Sequence, residues 1–256
     1  MNFIKNQVNA IIDFVPFVTS MSFLILLRNV FPKLYEYIET NHANQLVKTE
    51  GNFKTIVPNK FLQNTTSNCN VIKSVWDSFM LTVKCPAKVG LDLKDIDLPI
   101  VNPQKMYEQI QLSDVISEPR KYYVLNFGSS SWPPYILSLN DISIMADRYL
   151  DYIQFIHIYI DEAHPKDGWY IGDENVIYNH KSIEERCEAS KHISEKMNHV
   201  YVDTMSNKLK KFFGVQYERL YVIQDNKIVF QGGQGPMNYS LSDVEEFLLN
   251  TVWNNV

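Results

Sequence analysis

The stretch Tyr122–Pro134, YYVLNFGSSSWPP, decides the fold. Tyr122–Phe127 is a short, mainly apolar run of strand formers that ends at Gly128. Three serines, Trp132 and two prolines follow. Tyr135–Tyr149 then shows helical spacing, with Ile136, Leu139, Ile142, Met145, Ala146 and Tyr149 on one face. Pro134 falls in the first turn, where its missing N–H costs nothing. The unit is strand, loop, helix, and chemistry in such units sits at the loop.

Downstream the alternation repeats. Phe155–Ile160 is a second strand, followed by the turn Pro165-Lys166-Asp167-Gly168. Ser182-Ile183-Glu184-Glu185 is a capping box that opens a helix through about Lys196. Val200–Val202 is a third strand, and Ser206–Phe213 a short helix ending at Gly214. Leu220–Gln224 and Ile228–Gln231 flank the hairpin turn Asp225-Asn226-Lys227. Ser242-Asp243-Val244-Glu245 caps a last helix that buries Val244, Phe247, Leu248 and Val252. The order βαβαβαββα predicts an α/β fold: a central, mostly parallel sheet with an antiparallel edge. That is the layout of a thioredoxin-like domain, expected over 89–256. A helix N-terminus behind the first loop favours an anion there.

Upstream the sequence is of another kind. Residues 14–27, FVPFVTSMSFLILL, carry no charge, and Arg28 at their end can snorkel. Residues 1–32 are read as a helical anchor that places the chain in a membrane with a single pass; a buried helix is the competing reading. Residues 33–88 form a linker with helical patches at Leu34–Asn41 and Val71–Leu81 around a turn-rich 59–70. Asn64-Thr65-Thr66 is a glycosylation sequon if that side faces a lumen. Lys plus Arg is 24 against 29 for Asp plus Glu, so no nucleic-acid partner is expected of a chain with net charge −5. Three Cys, with no Cys-x-x-Cys pair, exclude a disulfide scaffold and a zinc knuckle.

The first loop holds Ser129, Ser130, Ser131 and Trp132, and no Cys. A serine there needs a base in reach to act as a nucleophile, and no Gly-x-Ser-x-Gly elbow occurs. The bland reading is hydroxyls capping the helix. Asp161-Glu162-Ala163-His164 spells a helicase box, but no phosphate-cradling loop accompanies it. Parallel strands share their carboxyl ends, so Glu162 and His164 are expected near Trp132, able to pass a proton. His157 reads as a packing residue and Cys187 as a buried thiol. Arg219 is expected to pair with a carboxylate, of the protein or of a substrate.

Five segments together resemble the iodothyronine deiodinases. They are Leu125–Pro134 (LNFGSSSWPP), Tyr159–Trp169 (YIDEAHPKDGW), His180–Cys187 (HKSIEERC), Asp203–Asn207 (DTMSN) and Tyr217–Pro236 (YERLYVIQDNKIVFQGGQGP). The resemblance implies a membrane-anchored, homodimeric selenoenzyme that deiodinates thyroxine and related iodothyronines reductively. It implies no bound cofactor and a thiol cosubstrate. Carried over residue by residue, the family's selenocysteine falls on Trp132, its loop cysteine on Ser130 and its threonine on Ser131. Glu162 and His164 match the proton-relay pair, and Tyr159 a supporting tyrosine. His180 and Arg219 match substrate-contacting residues, and Ser129 lies in the same loop.

An indole only donates hydrogen bonds and has no lone pair suited to attacking iodine. Two explanations compete. Selenocysteine is encoded by UGA, which some translation tables read as Trp. Alternatively, Trp132 is real and the chain is a non-catalytic relative that binds an iodothyronine or a protein partner. The intact Glu162/His164 segment favours the first.

Overall fold

The structure is a computed structural model that describes residues 69–118, 121–170, 176–235 and 238–252. The expected anchor helix, the patch Leu34–Asn41 and the sequon lie outside the described residues. Among those described, no helix is long and apolar enough to cross a membrane. The chain divides into two compact units, residues 1–83 with 164–176, and residues 84–163 with 177–256. In the first, helix α1 (Cys69–Lys84) extends the helical patch read at Val71–Leu81 by a few residues each way. It carries a Lys73–Asp77 ion pair one turn apart.

The second unit holds the sheet. Its elements are β1 (Pro99–Asn102), β2 (Glu108–Gln111), α2 (Leu112–Val115), β3 (Tyr122–Gly128), α3 (Pro133–Arg148) and β4 (Ile153–Tyr159). There follow α4 (Ile183–Ala189), α5 (Lys191–Ser194), β5 (Val200–Asp203), α6 (Lys208–Phe213), β6 (Arg219–Gln224), β7 (Lys227–Gln231) and α7 (Leu241–Val252). The strand order is β2-β1-β5-β4-β3-β6-β7. Strands β5, β4 and β3 are parallel neighbours; every other pairing is antiparallel. The thioredoxin-like core β4-β3-β6-β7 is as expected. The expected mostly parallel sheet is corrected to a mixed one, because β1 and β2 add a hairpin at the far side.

Period-two alternation divides the core. Tyr123, Leu125 and Phe127 of β3 face one cluster with Ile156, Ile158, Phe213 and Tyr221. Tyr122 and Val124 face the other, under Ile142, Met145 and Tyr149 of the α3 segment and Val244 and Leu248 of α7. Each of these side chains contributes about 1.5–3 kcal/mol by burial. All seven β3 residues are buried, because β3 lies between β4 and β6 and is covered on both faces. Phe247 is half-buried, and the Val252 side chain lies outside the description.

Local chemistry sets the boundaries. The helix expected from Ser182 to Lys196 is broken at Ser190 into α4 and α5. Only half of its capping box forms: Ser182 Oγ accepts from Glu185 N at 3.3 Å, while Glu185 accepts from Lys181 N instead. Helix α7 is capped by Ser240, not Ser242: Ser240 Oγ accepts from Asp243 N at 3.1 Å. The β6–β7 turn has positive φ at Asp225 and Asn226, 49° and 63°, as a two-residue hairpin demands. Outside β7, residues 90–93 run antiparallel to it, with Gly90 N donating to Ile228 O at 2.7 Å and Ile228 N to Leu91 O at 3.0 Å.

Candidate active site

The parallel register runs from Tyr122↔Ile153 to Gly128↔Tyr159, so the β3 and β4 strands end side by side. Ile160 N closes the pair on Gly128 O at 3.0 Å. The Ser129–Trp132 loop and Asp161-Glu162-Ala163 therefore leave the sheet together. Gly128 is required here by close approach: a Cβ would lie 2.1 Å from the Tyr135 ring.

The three serines do not cap α3. The helix N-cap is Trp132 itself, extended at φ −106°, with no side-chain cap bond and proline in the first positions. The loop instead bonds its surroundings through hydroxyls and backbone. Ser129 Oγ accepts from Ala163 N at 3.2 Å. Ser131 N donates to Glu162 Oε2 at 2.8 Å. Ser130 Oγ lies 2.9 Å from the Tyr159 hydroxyl, 3.2 Å from His192 Nδ1 and 3.3 Å from Ala189 O.

Glu162 is 7% exposed. Its Oε1 accepts from the Tyr159 hydroxyl in a short bond and lies 3.4 Å from His180 Nε2. Burial pushes its carboxyl above the ordinary range, against the pull of Ser131 and Tyr159. Burial and the adjacent Glu162 push the Tyr159 phenol well up. His180 has a 4% exposed side chain and sits 6.0 Å from the Tyr159 ring centroid, so it joins the Glu162 group.

His164 belongs to the other compact unit. Its Nδ1 donates to Trp169 O at 2.9 Å, which leaves Nε2 as the acceptor nitrogen. Burial lowers its pKa to about 4, with the Trp169 carbonyl opposing.

Trp132 is 7% exposed and stacks on Tyr217, ring centroids 4.7 Å apart and 17° from parallel. Its indole also bears on Glu218, which sequence reading missed. Glu218 is 1% exposed, packed so closely by Gly235 that a Cβ there would lie 2.3 Å from Glu218 Cγ. Burial raises its pKa to about 7, and the neighbouring Trp132 indole N–H pulls the other way.

Among the described residues, Arg219 pairs with no carboxylate of the protein. Its guanidinium donates to Gly232 O at 2.9 Å, Gly214 O at 3.2 Å and Phe213 O at 3.3 Å, and lies over the Tyr221 ring. It ties the end of α6 to the loop after β7. His157 is buried with its Nδ1 3.4 Å from the Asn126 amide nitrogen, and burial lowers its pKa to about 3. Cys187 is buried and its thiol is pushed up to about 11.

The DTMSN and EERC segments buttress the Glu162 loop. Asp203 accepts from Leu209 N and Lys210 N at 3.0 and 2.9 Å, holding the start of α6. Lys210 Nζ reaches Asp161 Oδ1 at 2.7 Å, and Asn207 donates to Asp161 Oδ2 at 3.2 Å. Arg186 donates to Asn207 Oδ1 at 2.7 Å and Thr204 O at 2.9 Å. Asp161, beside Glu162, is thus fixed by the start of α6, which Arg186 of α4 braces through Asn207.

A strand-to-helix loop with a helix N-terminus behind it, and a buried carboxyl bonded to its backbone, is a thioredoxin-like arrangement. A family model described as iodothyronine deiodinase matches residues 9–251. The chain belongs to the iodothyronine deiodinase family. It is similar to a thyroxine 5-deiodinase of Sparus aurata, 31% identical over 180 residues, 69% of this chain and 66% of that protein. It is 33% identical over 189 residues to a type II iodothyronine deiodinase of Aquarana catesbeiana, 69% of this chain and 71% of that one. The human type II iodothyronine deiodinase is 31% identical over 200 residues, 69% and 73% of the two chains. Among solved structures, an exposed lipoprotein thioredoxin of Streptococcus pneumoniae matches at a TM-score of 0.39 and 19% identity, over 60% of this chain and 98% of that one. A thioredoxin-like protein of Porphyromonas gingivalis matches at 0.43 and 11%, over 62% and 92%.

Proposed function

We propose that the chain deiodinates thyroxine and related iodothyronines reductively, with selenocysteine at position 132 of the living protein. The observation that carries this reading is the bonding of Glu162 to the loop of residue 132, through Ser131 N at 2.8 Å. It joins a buried proton source to the residue that starts α3. A selenolate at 132 would be favoured by the helix N-terminus. It would attack iodine, forming a selenium–iodine bond while the carbon–iodine bond breaks. The electron pair left on the ring carbon takes a proton, which Glu162 and His164 supply. Two equivalents of a thiol cosubstrate then release iodide, regenerate the selenolate and leave as disulfide. His180, beside Glu162, and Tyr159 shape the same site, with Ser129, Ser130 and Ser131 holding it. Arg219, bonded to three backbone carbonyls, remains in this reading a residue facing substrate, as His180 does. The remainder of the proposal is a single-pass membrane anchor at 1–32, a linker at 33–88, the catalytic domain at 89–256 and a homodimer.

A second reading has its own observation. Trp132 is well accommodated, stacked on Tyr217 with its indole on Glu218. Taken at face value, it makes the chain a silent relative that binds an iodothyronine or a protein partner. The coding triplet separates the two: UGA supports the first and UGG sinks it. Protein carrying selenocysteine at 132 should release iodide from thyroxine in the presence of dithiothreitol, while the Trp132 form should not. Deiodination by the Trp132 form refutes the assignment of residue 132.

A further inference from the structure

Ser130 has an unanticipated neighbour. His192 lies on α5, 62 residues further along, and its Nδ1 is 3.2 Å from Ser130 Oγ. Ser130 Oγ is in turn 2.9 Å from the Tyr159 hydroxyl, which donates to Glu162 Oε1 in a short bond. Ser130, Tyr159 and Glu162 are buried, whereas His192 is only partly buried. The four groups form an unbroken line of hydrogen-bonding atoms from solvent to the Glu162 carboxylate.

We propose that His192 is the solvent-side end of a proton wire, His192–Ser130–Tyr159–Glu162, that reloads the Glu162 carboxyl. This rests on reading Glu162 as a proton donor. Each turnover of that reading consumes one proton, and Glu162 is buried, bonded to Ser131 and Tyr159 with His180 Nε2 3.4 Å from its Oε1. Imidazole can take a proton on one nitrogen and release it from the other. In the transfer, His192 Nδ1–H passes its proton to Ser130 Oγ as Ser130 passes its own to the Tyr159 oxygen. Tyr159 passes its own to Glu162 Oε1, and His192 regains a proton from water at Nε2. One proton enters, one arrives, and no bond to carbon changes. Ala189 O lies 3.3 Å from Ser130 Oγ and 3.2 Å from His192 Nδ1 as a resting acceptor for both, so the hydroxyl must rotate and the imidazole N–H turn from that carbonyl to conduct. His192 is a positioning residue for the chemistry, acting only through Glu162.

The test uses the full chain with Trp132 in place. The infrared carboxyl band of Glu162 is identified by its loss in Glu162→Gln, and its protonation is followed after a rapid pH drop. His192→Phe should slow the protonation tenfold or more. His192→Gln, which can still hold Ser130 but cannot relay, should slow it equally. Imidazole added to His192→Gly should restore the rate. Should the histidine variants fail to fold, Ser130→Ala breaks the wire one step further in and must give the same slowing. An unchanged rate in His192→Phe or in Ser130→Ala, or full recovery in His192→Gln, overturns the proposal. The readout requires no deiodination, so it is independent of whether selenocysteine at 132 proves active.

Discussion

Replacing Glu218 by Gln should flatten the pH dependence of stability. The carboxyl is 1% exposed, and burial raises its pKa from 4.5 to about 7, with the neighbouring Trp132 indole opposing. The sign follows from linkage. A carboxyl held above its unfolded value binds its proton more tightly in the folded chain. Its favourable state is complete below about 4.5, and stability is lost as pH rises to about 7, with no further loss above. At about 1.4 kcal/mol per pH unit, that window is worth about 3 kcal/mol. Glu218→Gln keeps the shape and an acceptor for the Trp132 indole, and it does not ionise. Urea unfolding from pH 4 to 8 measures the effect. The difference in stability between variant and parent should grow by about 3 kcal/mol across the window, in favour of the variant. Trp132 provides a local probe, since its fluorescence in the parent should change with a midpoint near 7 and lose that transition in the variant. Parallel stability profiles for the two proteins would show that the carboxyl is not held neutral by burial.

Two further expectations concern residues that both the sequence and the site singled out. Arg219→Lys should destabilise the chain nearly as much as Arg219→Ala, by about 3 kcal/mol in urea unfolding, because an ammonium cannot span three carbonyls of separate segments; retention of parental stability in the lysine variant counts against the clamp. His164 should titrate near pH 4 by nuclear magnetic resonance, losing folding stability as pH falls below the ordinary imidazole range toward that value; a midpoint near 6.5 would contradict its burial.

The legible parts of the fold were those with strong periodicity. The run Tyr122–Phe127 and the helix behind it announced β3 and α3, and Gly214 marked the end of α6, where it sits at φ 61°. The β1–β2 hairpin escaped because Pro99–Asn102 is four residues long and Glu108–Gln111 is polar. Neither alternates long enough to register. At the site, shared carboxyl ends of parallel strands sufficed to bring Glu162 to the loop of residue 132. Sequence spacing has no means of showing that Ser130 meets His192 across 62 residues. Glu218 was hidden in the run YERLYV, where a charged residue beside a strand ordinarily faces water. Its burial follows from the return of the Gly232–Gly235 loop over it, a tertiary event. Arg219 was noticed for its charge, but its partners are carbonyls, which leave no trace in a sequence.

The strip of chain at residues 90–93 has a bearing on self-association. An open sheet can recruit strands from other molecules along its edges and so polymerise. Here the β7 edge is already occupied, through Gly90, Leu91 and the Asp92↔Lys227 bridge. The opposite edge, β2, offers four residues with Glu108 and Gln109 exposed, a poor template for a foreign strand. Aggregation by edge-to-edge pairing is therefore blocked at one side and discouraged at the other. A homodimer of this chain would not form by extending the sheet at β7.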